Sequence, residues 1–210
     1  MEARNHWRHP MTAGSENEQA APSRKGGVRE SLLLAGCGAV AAVLLQSFVF
    51  PLFWIPSESM ENTLHVGDGV VVNKLHGAVE RGDVVVFTGW DGTDTIKRVI
   101  AIGGDTVKCC DAQRRITVNG VPLDEKDYLH PDDFPSKEEF EKAVPEGRLW
   151  VMGDRRSASQ DSRDHEERGG EGTIAEDEVT GRAVAVFWPL SRAAVLSTPD
   201  TFARTFTGDE

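Results

Sequence analysis

At 210 residues and 39% hydrophobic content, the chain has room for one ordinary domain with appendages and enough apolar side chains for a core. A formal net charge of -11 leaves no basic stripe to neutralise phosphates, so nucleic acid is not an expected partner. Three cysteines, Cys37, Cys109 and Cys110, are too few and too badly spaced for a disulfide framework or a zinc site, and neither metal nor cofactor is expected.

Residues 1–30 mix basic and acidic side chains with Gly, Ser, Pro, Asn and Gln without an apolar period, and are expected to form a disordered cytoplasmic tail. From Ser31 to Ser57 no residue is charged. A bilayer core about 30 Å thick needs about 20 helical residues, so residues 31–54 predict a transmembrane anchor with Trp54 at its outer interface. A cleavable signal is the alternative, but such apolar regions run roughly 7 to 15 residues and lie nearer the N-terminus. Arg24, Lys25 and Arg29 precede the span while Glu58, Glu61 and Asp68 follow it. The positive-inside rule then puts the N-terminus in the cytoplasm, the remainder outside a plasma membrane, and membrane lipid among the partners.

Residues 55–196 form the expected extracytoplasmic domain, with 197–210 as a C-terminal tail. Short β-branched runs recur at Gly69–Val72, Asp83–Phe87, Thr95–Ile102, Thr106–Lys108, Ile116–Val118, Leu149–Met152 and Arg182–Trp188. The class is mostly β. Asn119-Gly120 between two such runs predicts a type I′ hairpin turn. Residues 108–148 read as a short second β subdomain with a charged excursion, holding one helical turn near Ser136–Lys142. On the outer, oxidising side Cys109 and Cys110 could form a strained vicinal disulfide or stay as thiols; two reduced or separately packed thiols are favoured, because Cα atoms about 3.8 Å apart across a trans bond lie below the usual disulfide spacing.

The chemistry-bearing segment follows the span directly: Ile55-Pro56-Ser57-Glu58-Ser59-Met60, a serine-rich turn stiffened by proline. His65, His76, His130 and His165 sit in no recognisable catalytic context, there is no Gly-x-Ser-x-Gly elbow, and Asn62 rather than lysine stands three after Ser59. A lysine base remains. Lys97 lies within Thr95-Ile96-Lys97-Arg98-Val99-Ile100, and alternation sets Thr95, Lys97 and Val99 on one face. Burial there would favour the neutral amine that can take a serine proton, although a lysine in a strand more commonly projects into solvent.

Five segments in one order resemble the bacterial type I signal peptidases: Pro56-Ser57-Glu58-Ser59-Met60 through Leu64, Arg81-Gly82-Asp83 through Phe87, Lys97-Arg98 through Gly104-Asp105, Gly153-Asp154 through Asp161-Ser162-Arg163, and Gly181-Arg182-Ala183 through Trp188-Pro189. The resemblance implies a catalytic domain of two antiparallel β-sheets behind one transmembrane helix, and a Ser/Lys peptidase removing signal peptides from secretory preproteins. It implies Ser59 as nucleophile, Lys97 as general base, and an oxyanion hole from the Ser59 N–H and the Ser57 hydroxyl. By the same resemblance Ser159 orients the lysine, and Arg98, Asp154, Asp161 and Arg163 support the site. Ile55, Pro56, Met60, Leu64 and Ile96 would line pockets for the small side chains of Ala-x-Ala sites.

This chain departs from the family pattern at Asn62, Arg155, Ser157 and Ala158, and in the long connection after Arg163. Turn chemistry and surface ion pairing are the alternative for Asp154, Asp161 and Arg163. Two other readings are a self-cleaving Ser/Lys repressor, which would carry a DNA-binding helix pair in place of the span, and a catalytically silent, membrane-tethered β module.

Overall fold

Burial alternates with period 2 in some strands: in β5 (Thr106–Cys109), Val107 and Cys109 are buried while Thr106 and Lys108 are exposed. Residues 84–87, 96–101 and 149–152 are instead buried on both faces. The computed structural model describes residues 27–75, 77–167 and 171–203. Of the expected tails at 1–30 and 197–210, residues 1–26 and 204–210, like His76, lie outside them; residues 27–30 instead begin a helix, and Asp200–Ala203 form a 3-10 turn in which Thr201 and Phe202 are buried, Phe202 against the Tyr128 ring. The chain divides into two units, residues 1–42 and 43–210.

Helix α1 (Gly27–Val49) occupies most of the uncharged run. It stops five residues before Trp54 because Pro51 has no N–H and disfavours helical backbone just before it. Leu52–Trp54 is strand β1, not the end of a membrane span, and pairs antiparallel with β2 (Gly69–Asn73). Among the described residues, no helix is long and apolar enough to cross a membrane. The anchor is therefore an inference from sequence.

The larger sheet holds β1, β2, β3 (Val84–Thr88), β4 (Asp94–Ile102), β9 (Arg148–Met152), β10 (Ile174–Ala175), β11 (Val179–Trp188) and β12 (Ala194–Val195). Its order is β1-β2-β11-β3-β4-β9-β10, with β12 also on β11. The smaller sheet, in order β7-β6-β5-β8, is built from β5, β6 (Ile116–Val118), β7 (Val121–Pro122) and β8 (Phe140–Ala143). All pairings are antiparallel. The Asn119-Gly120 turn has positive φ at both residues, 50° and 78°, as a type I′ hairpin requires.

Two expectations fail here. The helical turn near Ser136–Lys142 is instead β8, whose Glu141 and Lys142 sit opposite Lys108 and Val107 and whose Phe140 packs on Trp150. Strand pairing and aromatic burial override the helix propensity of Glu and Lys. Cys109 and Cys110 are joined in a disulfide rather than left as separate thiols; the Cα spacing assumed for a trans bond does not hold, the two atoms being 3.0 Å apart.

A core of Ile100, Val107, Ile116, Leu123, Tyr128 and Trp150 is shared by the two sheets. A second cluster, including Ile55, Met60, Leu64, Val70, Val84 and Ile96, lies beneath the serine-rich turn. The turn is thus fixed from below by apolar packing, and its backbone has little freedom.

Candidate active site

Residues Glu58–Met60 form a single 3-10 turn, with Ser57 extended at its entrance. Inward-facing Ile55, Met60 and Leu64 hold it to the core, and buried Ser59 points across to β4. Met60 and Leu64 are wholly buried, so they belong to that core rather than to an open pocket. Pro56 and Ile96 do line the cleft.

Register with β3 places Lys97 opposite Val85 in the middle of the sheet. Its Nζ donates to Ser59 Oγ at 2.8 Å, and the Ser57 hydroxyl lies 3.3 Å from the same oxygen. Lys97 is only 5% exposed. Burial pushes its amine below the ordinary lysine range, and the carboxylates of Asp161 and Asp154 oppose this without reversing it.

The segment after β9 closes the site from the other side. Gly153 packs so tightly that a Cβ there would collide with the Ser59 carbonyl and with Ser159. Next to it the Arg155 N–H donates to the Ser59 carbonyl at 3.1 Å, and the Arg155 guanidinium reaches Glu58 at 2.6 Å and Glu61 at 2.7 Å. One residue therefore grips the turn at its backbone and on both flanks of Ser59.

Ser159 is buried beside Gly153, but its hydroxyl donates to Asp161 Oδ2 at 2.8 Å. Among the described residues it has no hydrogen bond with Lys97. A hydroxyl whose proton is held by a carboxylate keeps its lone pairs for other donors. Asp161 also accepts from the Gly153 N–H at 3.0 Å and from Arg163 at 2.9 and 2.8 Å. Burial works against its charge, but the Arg163 contacts outweigh that and hold the carboxyl below the usual range.

Arg98, adjacent to Lys97, forms a bidentate pair with Asp154 at 2.9 and 2.7 Å, both residues being buried. Its guanidinium donates to the Gly82 carbonyl at 2.8 Å and lies 4.6 Å from the centre of the Tyr128 ring. Thr63 donates to Asp154 and accepts from Arg98. Arg156 pairs with buried Glu125 and donates to the Gly153 carbonyl at 2.9 Å. Sequence reasoning missed Thr63, Tyr128, Glu125 and Arg156. Tyr128 donates to Glu125 three residues away, but the contacts of Thr63 with Asp154, of Arg98 with Tyr128 and of Arg156 with Glu125 join residues about thirty to ninety positions apart, and nothing local in the sequence marks them.

A cleft of about 440 Å³ opens beside Ser59 and Lys97 and includes Trp90, Asp91, Asp94 and His165. Along it β4 has one unpaired side. Strand β3 covers Asp94–Arg98, whereas β9 pairs only from Arg98 onward, so Asp94–Lys97 presents an open strand edge among the described residues.

A family model described as signal peptidase, peptidase S26, matches residues 28–188. Signal peptidase I of Mycobacterium tuberculosis (strain ATCC 25618 / H37Rv) is 35% identical over 236 residues, covering 87% of this chain and 80% of that protein. Signal peptidase I of Leptolyngbya laminosa is 31% identical, over 92% of this chain and 96% of its own. For signal peptidase I S of Bacillus subtilis (strain 168) the figures are 32%, 80% and 94%. A solved signal peptidase I from Enterococcus faecalis V583 shares 27% identity at a TM-score of 0.39, covering 50% of this chain and 97% of that one. With a family match that takes in Ser59, Lys97 and Ser159, and relatives above 30% identity over most of its length, this chain belongs to the signal peptidase family, peptidase S26, and is a serine endopeptidase.

Proposed function

We propose that the protein is a membrane-anchored endopeptidase that removes N-terminal signal peptides from exported preproteins, with Ser59 as nucleophile and Lys97 as general base. The observation that carries this reading is the 2.8 Å approach of a buried amine to a buried serine hydroxyl at the wall of an open cleft. A neutral Lys97 at that separation takes the Ser59 proton as Oγ attacks the scissile carbonyl. The resulting ammonium then protonates the leaving amine, and water completes the cycle by the same route. The developing oxyanion falls to the Ser59 N–H and the Ser57 hydroxyl, interactions that count only after attack.

An extended peptide suits the open edge at Asp94–Lys97, where backbone hydrogen bonds would align it. Pro56 and Ile96 leave shallow space beside Ser59, which supports small side chains at the cleaved site. Ser159, Asp161 and Arg163 act as a support beneath the lysine, and Arg98 with Asp154 fixes the segment that grips the turn. The anchor is read from the uncharged run from Ser31 and the basic residues before it.

The test is cleavage of a labelled preprotein bearing an Ala-x-Ala site by purified wild type, Ser59→Ala and Lys97→Ala. Wild type should yield a product beginning just after that site, and both variants should lose at least about a thousandfold in rate, several kcal/mol of barrier. Near wild-type turnover by either variant contradicts the assignment.

A further inference from the structure

We propose that Trp90 and His165 form a specificity subsite at the far end of the cleft, which selects a basic side chain of the substrate about three residues on from the one held at Ser59, outside the two alanines of the Ala-x-Ala site. This rests on the peptidase reading above. Trp90 belongs to the β3–β4 hairpin loop and His165 to helix α2 (Ser162–Glu167), yet the rings stack at 3.9 Å between centroids with 16° between planes. Trp90 is braced edge-on at 5.7 Å by buried Phe87, so the aromatic wall is anchored to the sheet rather than carried by a loose loop.

That wall lines the same cleft as Ser59 and Lys97. From Lys97 to Asp94 the open strand edge advances by three residues, about 10 Å at the usual strand rise. A peptide paired to this edge with its scissile carbonyl at Ser59 therefore brings a side chain about three positions away to the wall. Exposed Asp91 and Asp94 flank it, and the only basic side chains lining the cleft among the described residues are Lys97, at the other end, and His165. A lysine or arginine stem can lie on the aromatic surface with its charged head between the two carboxylates, a setting that disfavours a glutamate.

The experiment scans Lys, Ala and Glu through the four positions on each side of the bond in one Ala-x-Ala peptide, leaving its two alanines in place, and compares kcat/KM for wild type, Trp90→Ala, His165→Ala and Asp91→Asn/Asp94→Asn. In wild type one position two to four residues from the bond should favour Lys over Glu by about tenfold or more, less at high salt. Each variant should reduce that ratio to about threefold or less, with the change chiefly in KM. The surface double variant keeps the test decisive if Trp90→Ala folds poorly. A flat wild-type profile, or variants that slow all peptides by one factor, overturns the subsite alone. Failure of the wild type to cleave any peptide overturns the peptidase reading and the subsite together.

Discussion

The Lys97 amine has one hydrogen-bond partner among the described residues, the Ser59 hydroxyl, and its depressed pKa fixes the sign of the pH dependence. The amine must be neutral to act as base, and it becomes neutral as pH rises through its folded value, which burial sets below the ordinary 10.5. Thus kcat/KM should climb from acid toward mildly alkaline pH and should keep that limb in His65→Ala and His130→Ala. Loss of the limb in either variant would transfer the ionisation to histidine. Asp161 titrates in the opposite regime. Its folded pKa lies below 3.8, so its stabilisation is complete above the ordinary carboxylate range and is lost as pH falls through the lower folded value. Asp161→Asn should cost about 3–5 kcal/mol in urea unfolding at pH 7, by leaving Arg163 without its buried anion. That cost should shrink in strong acid, and a difference independent of pH would contradict the assignment.

At the scale of elements, the β9 exit and the serine turn act as one piece. Gly153→Ala places a methyl against the Ser59 carbonyl and Ser159, and should cost about 1–3 kcal/mol of stability together with most of kcat. Arg155→Ala removes the side-chain grip on Glu58 and Glu61 while leaving the backbone contact to Ser59. Its expected result is a roughly tenfold lower kcat with little change in KM, because a small displacement of a reacting group is costly. A pure KM effect would instead assign Arg155 to substrate binding. The elements differ in how far they could be read beforehand. Strands β4 and β6 announce themselves by β-branched runs, β9 by its apolar Leu-Trp-Val-Met run, and Asn119-Gly120 by its turn chemistry. Strand β8 does not, since Phe-Glu-Lys-Ala looks helical until the β5 edge is present to pair it. Strand β1 hides in an apolar run whose chemistry suits a bilayer as well as a sheet. Ser59 and Lys97 were legible only through ordered motifs. Their meeting 38 positions apart is a product of sheet register, and the Arg98, Asp154 and Thr63 cluster is likewise visible only once the strands are assembled.

For the whole molecule, the proposed anchor in the uncharged run ahead of the catalytic domain has a topological test. In intact membranes, protease added from outside should digest the bulk of the chain and spare the first 30 residues; a protected catalytic domain would reverse the orientation. Several motif residues far from Ser59 serve the fold instead of the chemistry: Arg81 pairs with buried Asp105, which also accepts from the Ile102 N–H and from Asn119, and Arg182 reaches Asp83. The Arg81, Asp105 and Asn119 contacts tie the loops that lead into and across the smaller sheet to the larger one, and Arg182 with Asp83 braces β11 beside β3, in the fold that brings a lysine and a serine together. The direct test of that central claim is mass spectrometry of the protein quenched during turnover of a signal-peptide ester. The acyl group should be found on the peptide that contains Ser59 in the wild type, and should be absent from Lys97→Ala at neutral pH. Acylation of another residue, or full acylation of Ser59 without Lys97, would contradict the account.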